Sequence, residues 1–456
     1  MKIRRYGFML LVLLAILLTM TACSKKKLAE PVGVMSTETL FEGNANLNVY
    51  AVQEDRYMIE LFERFRYDIF KTQAAGITVT WFEDMASLVQ TVTTEMMGGG
   101  GPDVLFFYPD TFDSSYHLIK NNMFADLNPI IEETEYKLEV LNPAVMDAGI
   151  FKEKRLFMPI NYSVDMFIAV DDFLTSDVSF DGMETMEDFM DAHERYVSSK
   201  SREGNIFNFT NSFSLPEFLN LCNVKVVDFS TKKVVCDDKE LRKYVDWYRE
   251  LQQYFVKDAT VFEGYNDQNY GPILEGDMVF LNNYQVTNHN SVKFGLSLYK
   301  ELSGNEEADF YSLSDLNSGT STAVIGLCGA VNKNSEHKAE AFELIKCALS
   351  KSMQENRQNY LTPVRSSVLE YQMLDLSSKS TYNFNYEGTS VQIVPLTARE
   401  EATFRRFVQE PGNVIVRDNK YNFILTEVFA DYIAGFGNWE DSLNQAKHRL
   451  KIYLNE

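Results

Sequence analysis

The sequence predicts an α/β fold, and three observations carry that prediction. Strands and amphipathic helices alternate between residues 47 and 108, the third strand is apolar without interruption, and a glycine run punctuates the alternation. Residues 47–52, Leu-Asn-Val-Tyr-Ala-Val, alternate with the period of a half-buried strand. Residues 54–70 then set Tyr57, Met58, Leu61, Phe65 and Ile69 at helical spacing. Residues 77–81 form a second strand, rich in β-branched side chains. Residues 85–97 read as a second helix, stopped by the glycines at 98–101. Residues 104–108, Val-Leu-Phe-Phe-Tyr, have the composition of a parallel strand covered on both faces. Strand–helix–strand–helix–strand is the order of a three-layer α/β lobe.

The rest of the chain is long enough for a second unit. At about 150 residues per domain, 456 residues suggest two or three domains. A helix is expected over 116–122, extended pieces over 156–160 and 166–170, and amphipathic helices over 188–198 and 239–256. A turn leads into a strand at 276–281, an apolar strand runs over 322–331, and a strong helix fills 335–350. Residues 423–454 read as helical, broken near Gly435-Phe436-Gly437.

Charge excludes some partners. With 65 acidic and 43 basic residues the formal charge is −22, which repels phosphate backbones, so no nucleic-acid partner is expected. The chain starts with a short basic stretch. Residues 8–18 follow as eleven apolar residues, too few to span a bilayer and right for the centre of a secretory signal. Met20-Thr21-Ala22-Cys23 resembles the lipobox of bacterial lipoproteins, which implies cleavage before Cys23 and a lipid on its sulfur. Losing residues 1–22 removes Lys2, Arg4 and Arg5 and takes the charge from −22 to −25. The lipid, not the surface field, would then hold the protein to the extracytoplasmic face of the cell membrane, on a tether covering 23–45.

Several chemistries find no pattern. The glycines at 98–101 lack the Lys-Ser/Thr of a phosphate loop. The five histidines have no metal-ligand spacing, and no Gly-x-Ser-x-Gly elbow is present, so no metal, cofactor or catalytic residue is assigned. Cys222, Cys236, Cys328 and Cys347 fit no zinc pattern. Cys328 and Cys347 read as buried thiols, while Cys222 and Cys236 are spaced either to close a short loop or to stay reduced.

Seven segments, in order, resemble the extracellular solute-binding proteins of ABC importers, in the branch that includes the maltose-binding protein. They are Thr94-Glu95-Met96-Met97-Gly98 through Pro102-Asp103-Val104, then Asn122-Met123-Phe124-Ala125-Asp126-Leu127-Asn128-Pro129, Phe157-Met158-Pro159-Ile160 and Met186-Glu187-Asp188-Phe189. Leu274-Glu275-Gly276-Asp277-Met278-Val279, Gly329-Ala330-Val331-Asn332-Lys333-Asn334-Ser335 and Tyr360-Leu361-Thr362-Pro363-Val364-Arg365-Ser366-Ser367 complete the set. The resemblance implies two three-layer α/β/α lobes joined by a hinge, as in type II periplasmic binding proteins, with a helical C-terminal part. One lobe would comprise 46–161 and 322–364, the other 162–321 and 365–456, with crossings near 160–164, 318–325 and 360–368. It further implies a monomer that captures a small solute, a sugar or oligosaccharide, in the cleft and delivers it to ABC permease subunits.

In an α/β lobe the ligand meets loops beyond the carboxyl ends of the strands. The candidates placed there are Asp55, Trp81, Glu83, Tyr108 and Asp110 in the first lobe, Tyr162 at the first crossing, and Asn283, Tyr284 and Thr320 in the second lobe. Acids and amides bond hydroxyls with defined geometry, and aromatic rings supply flat apolar faces, which suits a neutral sugar. Two other readings stay open: a surface carbohydrate-active hydrolase, and a solute-binding lipoprotein that serves a sensor rather than transport.

Overall fold

The computed structural model describes residues 33–69, 72–169, 184–200, 208–210, 213–254, 278–286, 289–303, 309–356, 358–359, 361–375, 379–386 and 389–456. The lipobox and Cys23 lie outside them.

The first sheet is built from β1 (Val34–Phe41), β2 (Ala45–Val52), β3 (Ala75–Phe82), β4 (Val104–Phe107), β5 (Met158–Pro159) and β11 (Cys328–Val331) in the order β1-β3-β2-β4-β11-β5. β3, β2 and β4 are parallel, while β1, β11 and β5 run antiparallel to their neighbours. Along β2 the burial follows the side-chain period: Leu47, Val49 and Ala51 are buried, Asn46 and Asn48 exposed. All four residues of β4 are buried, as its unbroken apolar run requires. Helix α1 (Arg56–Ile69) buries Tyr57, Met58, Leu61, Phe62 and Phe65. Helix α2 (Met85–Met97) starts at Asp84, whose carboxylate accepts from Ser87 N, and α3 (Lys338–Ala348) adds Phe342, Leu344 and Ile345 to the same core.

The second sheet centres on β6 (Asn161–Ala169). Its main path is β13 (Asn413–Ile415), β10 (Thr322–Ile325), β6, β8 (Met278–Val286) and β7 (Asn208–Thr210). β9 (Asp309–Tyr311) and β10 share one edge of β6 end to end, while β8 and the short β12 (Thr362–Pro363) share the other. Helices α4 (Asn419–Ile433) and α5 (Trp439–Asn455) pack together in a second core with Leu241, Tyr244 and Val245 from the helix Asp238–Leu251. The main core instead runs from Leu47 through Tyr162 to Phe404 and joins the two sheets.

The chain passes between the sheets three times, and one side chain ties the passages together. Asn161, buried at the start of β6, accepts from Leu327 N at 2.7 Å and donates to Asn359 Oδ1 at 2.7 Å. Gly326 N donates back to the Asn161 carbonyl at 3.1 Å, and a Cβ on Gly326 would overlap the Asn161 side chain. The run expected as one strand over 322–331 is therefore two, split at Gly326-Leu327. Thr322–Ile325 belongs to the second sheet, as does β6 from Asn161 onward. A second difference lies at the front: residues 34–41, expected within the tether, form edge strand β1. Cys222, Cys236, Cys328 and Cys347 are all unpaired, and all but Cys236 are buried.

Candidate functional site

Three of the expected residues gather at the carboxyl ends of β2 and β4. Asp55 sits at the head of α1, where its carboxylate accepts from Met58 N at 3.1 Å and burial raises its pKa. Tyr108 follows β4 and is 38% exposed. Its phenol pKa is pushed up to about 12, first by burial and then by the nearby carboxylates of Asp55 and Asp110. Burial first, then Cys347, Tyr108 and Asp55, push the Tyr57 phenol up, and its buried hydroxyl has no partner among the described residues.

Asp110 faces the second lobe. Its Oδ2 is 3.4 Å from Arg417 Nη1, and Asn419 Nδ2 donates to the Asp110 carbonyl at 2.5 Å and the Phe112 carbonyl at 3.1 Å. Both partners flank Asp418, the N-cap of α4. Buried Asp418 accepts from Tyr421 N and Tyr116 N at 2.9 Å each and from Ser114 Oγ at 3.0 Å. The short helix Ser115–Lys120 is thus bonded to the second lobe: Tyr116 packs in the second core and donates to the Leu454 carbonyl at 3.1 Å.

The other expected residues have different surroundings. Trp81 is half-buried beside β1, donates to Glu38 Oε1 at 2.6 Å and meets Phe62 edge-on at 6.3 Å. Glu83 is exposed in the turn after β3. Tyr162 is fully buried, gives its hydroxyl to the Val408 carbonyl at 2.5 Å, and lines a cavity of about 240 Å³ together with Asn142 and Gln409. Thr320 is partly buried against Gly412, its hydroxyl 3.2 Å from Ser318 Oγ. Asn283 and Tyr284 belong to β8, where the register slips between Asn283 and Val286; their side chains lie outside the described residues.

A cavity of about 320 Å³ adjoins the Asp110–Arg417 pair through Arg417 itself. Asp147 and Ile150 line it from the first lobe, and Asn220, Phe229 and Tyr421 from the second. Its size falls at the lower end of small-molecule sites. Among the described residues no three of His, Cys, Asp and Glu gather as a metal centre would need. The cluster offers carboxylates, a phenol, a guanidinium and an amide, a set that binds hydroxyl groups from several directions.

Sequence reasoning missed Arg417 and Asn419. Only the Asp-Asn pair ahead of a helix marks them, and that signal indicates a cap, not a ligand.

The family of bacterial extracellular solute-binding proteins matches over residues 66–379. Among solved structures, the chain is similar to an extracellular solute-binding protein of family 1 from Alicyclobacillus acidocaldarius, at 12% identity and a TM-score of 0.57, over 91% of this chain and 100% of that one. It is similar to the sugar-binding protein MalE of Xanthomonas citri, at 14% identity and a TM-score of 0.61, over 90% and 98%. It is also similar to an ABC substrate-binding protein of Listeria monocytogenes solved with cycloalternan, at 13% identity and a TM-score of 0.56, over 90% and 99%. No curated protein matches the chain. At these identities the likeness carries the fold, that of type II periplasmic binding proteins, with two lobes of mixed α/β structure.

Proposed function

The chain belongs to the bacterial extracellular solute-binding proteins, and from that premise we propose that it captures a sugar or oligosaccharide between its lobes, unaltered, for an ABC permease. One observation carries the reading. Asp55, Tyr108 and Asp110 end parallel strands of the first lobe, and Arg417 and Asn419 of the second lobe reach Asp110 from the other side. A guest held there touches both lobes, so its binding free energy favours the closed arrangement over the open one. The lipid on Cys23 retains the protein at the extracytoplasmic face of the membrane. The cited sugar-binding neighbours support carbohydrate as the guest.

Titration calorimetry against a panel of neutral oligosaccharides, with chromatography of the recovered ligand, tests this. Saturable binding with intact ligand is expected. A shortened oligosaccharide would favour the hydrolase reading, and no binding across the panel would remove carbohydrate as the guest class.

A further inference from the structure

Strand β1 turns the start of the described residues back toward the cleft. Val34 pairs with Phe82, the last residue of β3, and Phe41 pairs with Ile77. Because β1 is antiparallel to β3, the chain enters the first sheet at the carboxyl end of the parallel strands, where Asp55, Tyr108 and Asp110 lie. A chain entering directly at Ala45, which pairs with Ala75, would arrive at the opposite end. β1 also forms the edge farthest from β5, the strand that leads into the hinge. Five strand spacings of about 4.8 Å put it roughly 24 Å from that hinge strand, on the mouth side of the cleft.

The entry point is fixed in place. The Gly33 carbonyl accepts from Glu83 N at 3.0 Å, its φ is 71°, and a Cβ there would overlap the Ser87 side chain. Thr37 and Thr39 face Thr80 and Thr78 with hydroxyls 3.1 Å apart, and Glu38 accepts the Trp81 indole.

We propose that β1 pins the lipid tether at the mouth of the cleft, so that the mouth-side rim of the first lobe, marked by Gly33 and Glu83, faces the phospholipid bilayer. The proposal rests on the reading of Cys23 as the lipid-bearing residue. Ten residue steps separate Cys23 from Gly33, a reach of about 35 Å at full extension. A tether running to Ala45 would reach about 75 Å and would leave from the far end of the sheet. Lys25, Lys26 and Lys27 sit next to the anchor, where they favour anionic headgroups, while the acidic body gains nothing from such a surface. The short, pinned tether is therefore what orients the body, and a solute released from the cleft leaves on the membrane side.

Energy transfer tests the orientation. The full-length lipoprotein, carrying Cys236→Ser to remove the partly buried native thiol, is reconstituted in phosphatidylcholine vesicles containing an acceptor lipid. A donor dye is placed through Glu83→Cys at the rim or through Asn44→Cys at the far end of β1. Transfer from the rim is expected to exceed transfer from residue 44 at least twofold. Twenty Gly/Ser residues inserted after Lys27, which leave the fold untouched, should bring the ratio toward one. Gly33→Val with Thr37→Pro, which unpins β1, should do the same. Equal transfer from both positions in the vesicle-bound parent protein, or a ratio that ignores the insertion, overturns the orientation while leaving the anchor intact. Failure to incorporate into vesicles, with no lipid mass on Cys23, overturns the anchor reading and the proposal with it.

Discussion

Asp110 and Arg417, 307 positions apart in sequence, meet across the two lobes with 3.4 Å between Oδ2 and Nη1. The pair is partly exposed, 42% for the carboxylate and 24% for the guanidinium, so its contribution to stability is below about 1 kcal/mol. Its place at the strand-end cluster gives it more effect on binding than on folding. Asp110→Ala and Arg417→Ala should each shift the unfolding midpoint little while weakening oligosaccharide binding about tenfold. The double variant should lose less than the product of the two, because the side chains are coupled. Calorimetry on the four proteins of the cycle measures that coupling, and a strictly multiplicative loss would separate Asp110 and Arg417 in function.

Two of the aromatic residues expected to meet a sugar should behave differently from one another. Tyr108 is free enough to present its ring, and Tyr108→Ala should keep the fold and lose about 1–3 kcal/mol of binding. Trp81 is committed to Glu38 and Phe62. Trp81→Ala should destabilise the first lobe by about 2–4 kcal/mol and loosen β1. Urea titration for stability, set beside calorimetry for affinity, distinguishes the two outcomes.

Asp418 is a structural counterpart to that exposed pair. Its buried carboxylate satisfies Tyr421 N in its own helix and Tyr116 N and Ser114 Oγ in the facing segment, so removing it leaves two backbone donors unpaired, while Ser114 Oγ keeps the Tyr453 hydroxyl at 2.8 Å. Asp418→Ala should lower unfolding stability by about 2–4 kcal/mol. Asp418→Asn, which keeps one acceptor oxygen, should lose less. Equal losses for the two variants in urea titrations would show that charge, rather than acceptor geometry, holds the helix Ser115–Lys120 to the second lobe.

The sequence signal was strong wherever one periodicity dominated. β2 alternates, β4 is apolar throughout, and the break expected near Gly435 separates α4 from α5. It failed at β1, where most side chains are solvent-exposed on both faces and burial imprints no alternation on Ser36, Thr37, Glu38 and Thr39. It also failed at Gly326, where an apolar stretch continues across a change of sheet; composition reports burial, not which sheet does the burying. The proximity of Asp55, Tyr108 and Asp110 was legible because short loops follow neighbouring parallel strands. Arg417 reaches that cluster from more than three hundred residues away, and no local pattern encodes such a meeting.

Acid sensitivity follows from His289. The imidazole is 1% exposed, meets Phe404 edge-on at 5.4 Å, and neither ring nitrogen has a hydrogen-bond partner among the described residues. Burial depresses its pKa from 6.5 to about 4, opposed by Glu401 and reinforced by Lys379, Lys293 and Arg405. The folded state therefore binds fewer protons than the unfolded state between these two values. Stability from this group is complete above about pH 6.5, declines as the pH falls toward 4, and changes no further below that. The loss by pH 4.5 is about 2–3 kcal/mol for this histidine. His289→Leu should remove that part of the decline while other titrating groups, buried His193 included, keep theirs. Urea unfolding at pH 7.5 and pH 4.5 gives the difference for each protein. The variant's difference should be smaller by about 2 kcal/mol, and identical differences would mean that the His289 ring takes up its proton in the fold as readily as in the unfolded chain.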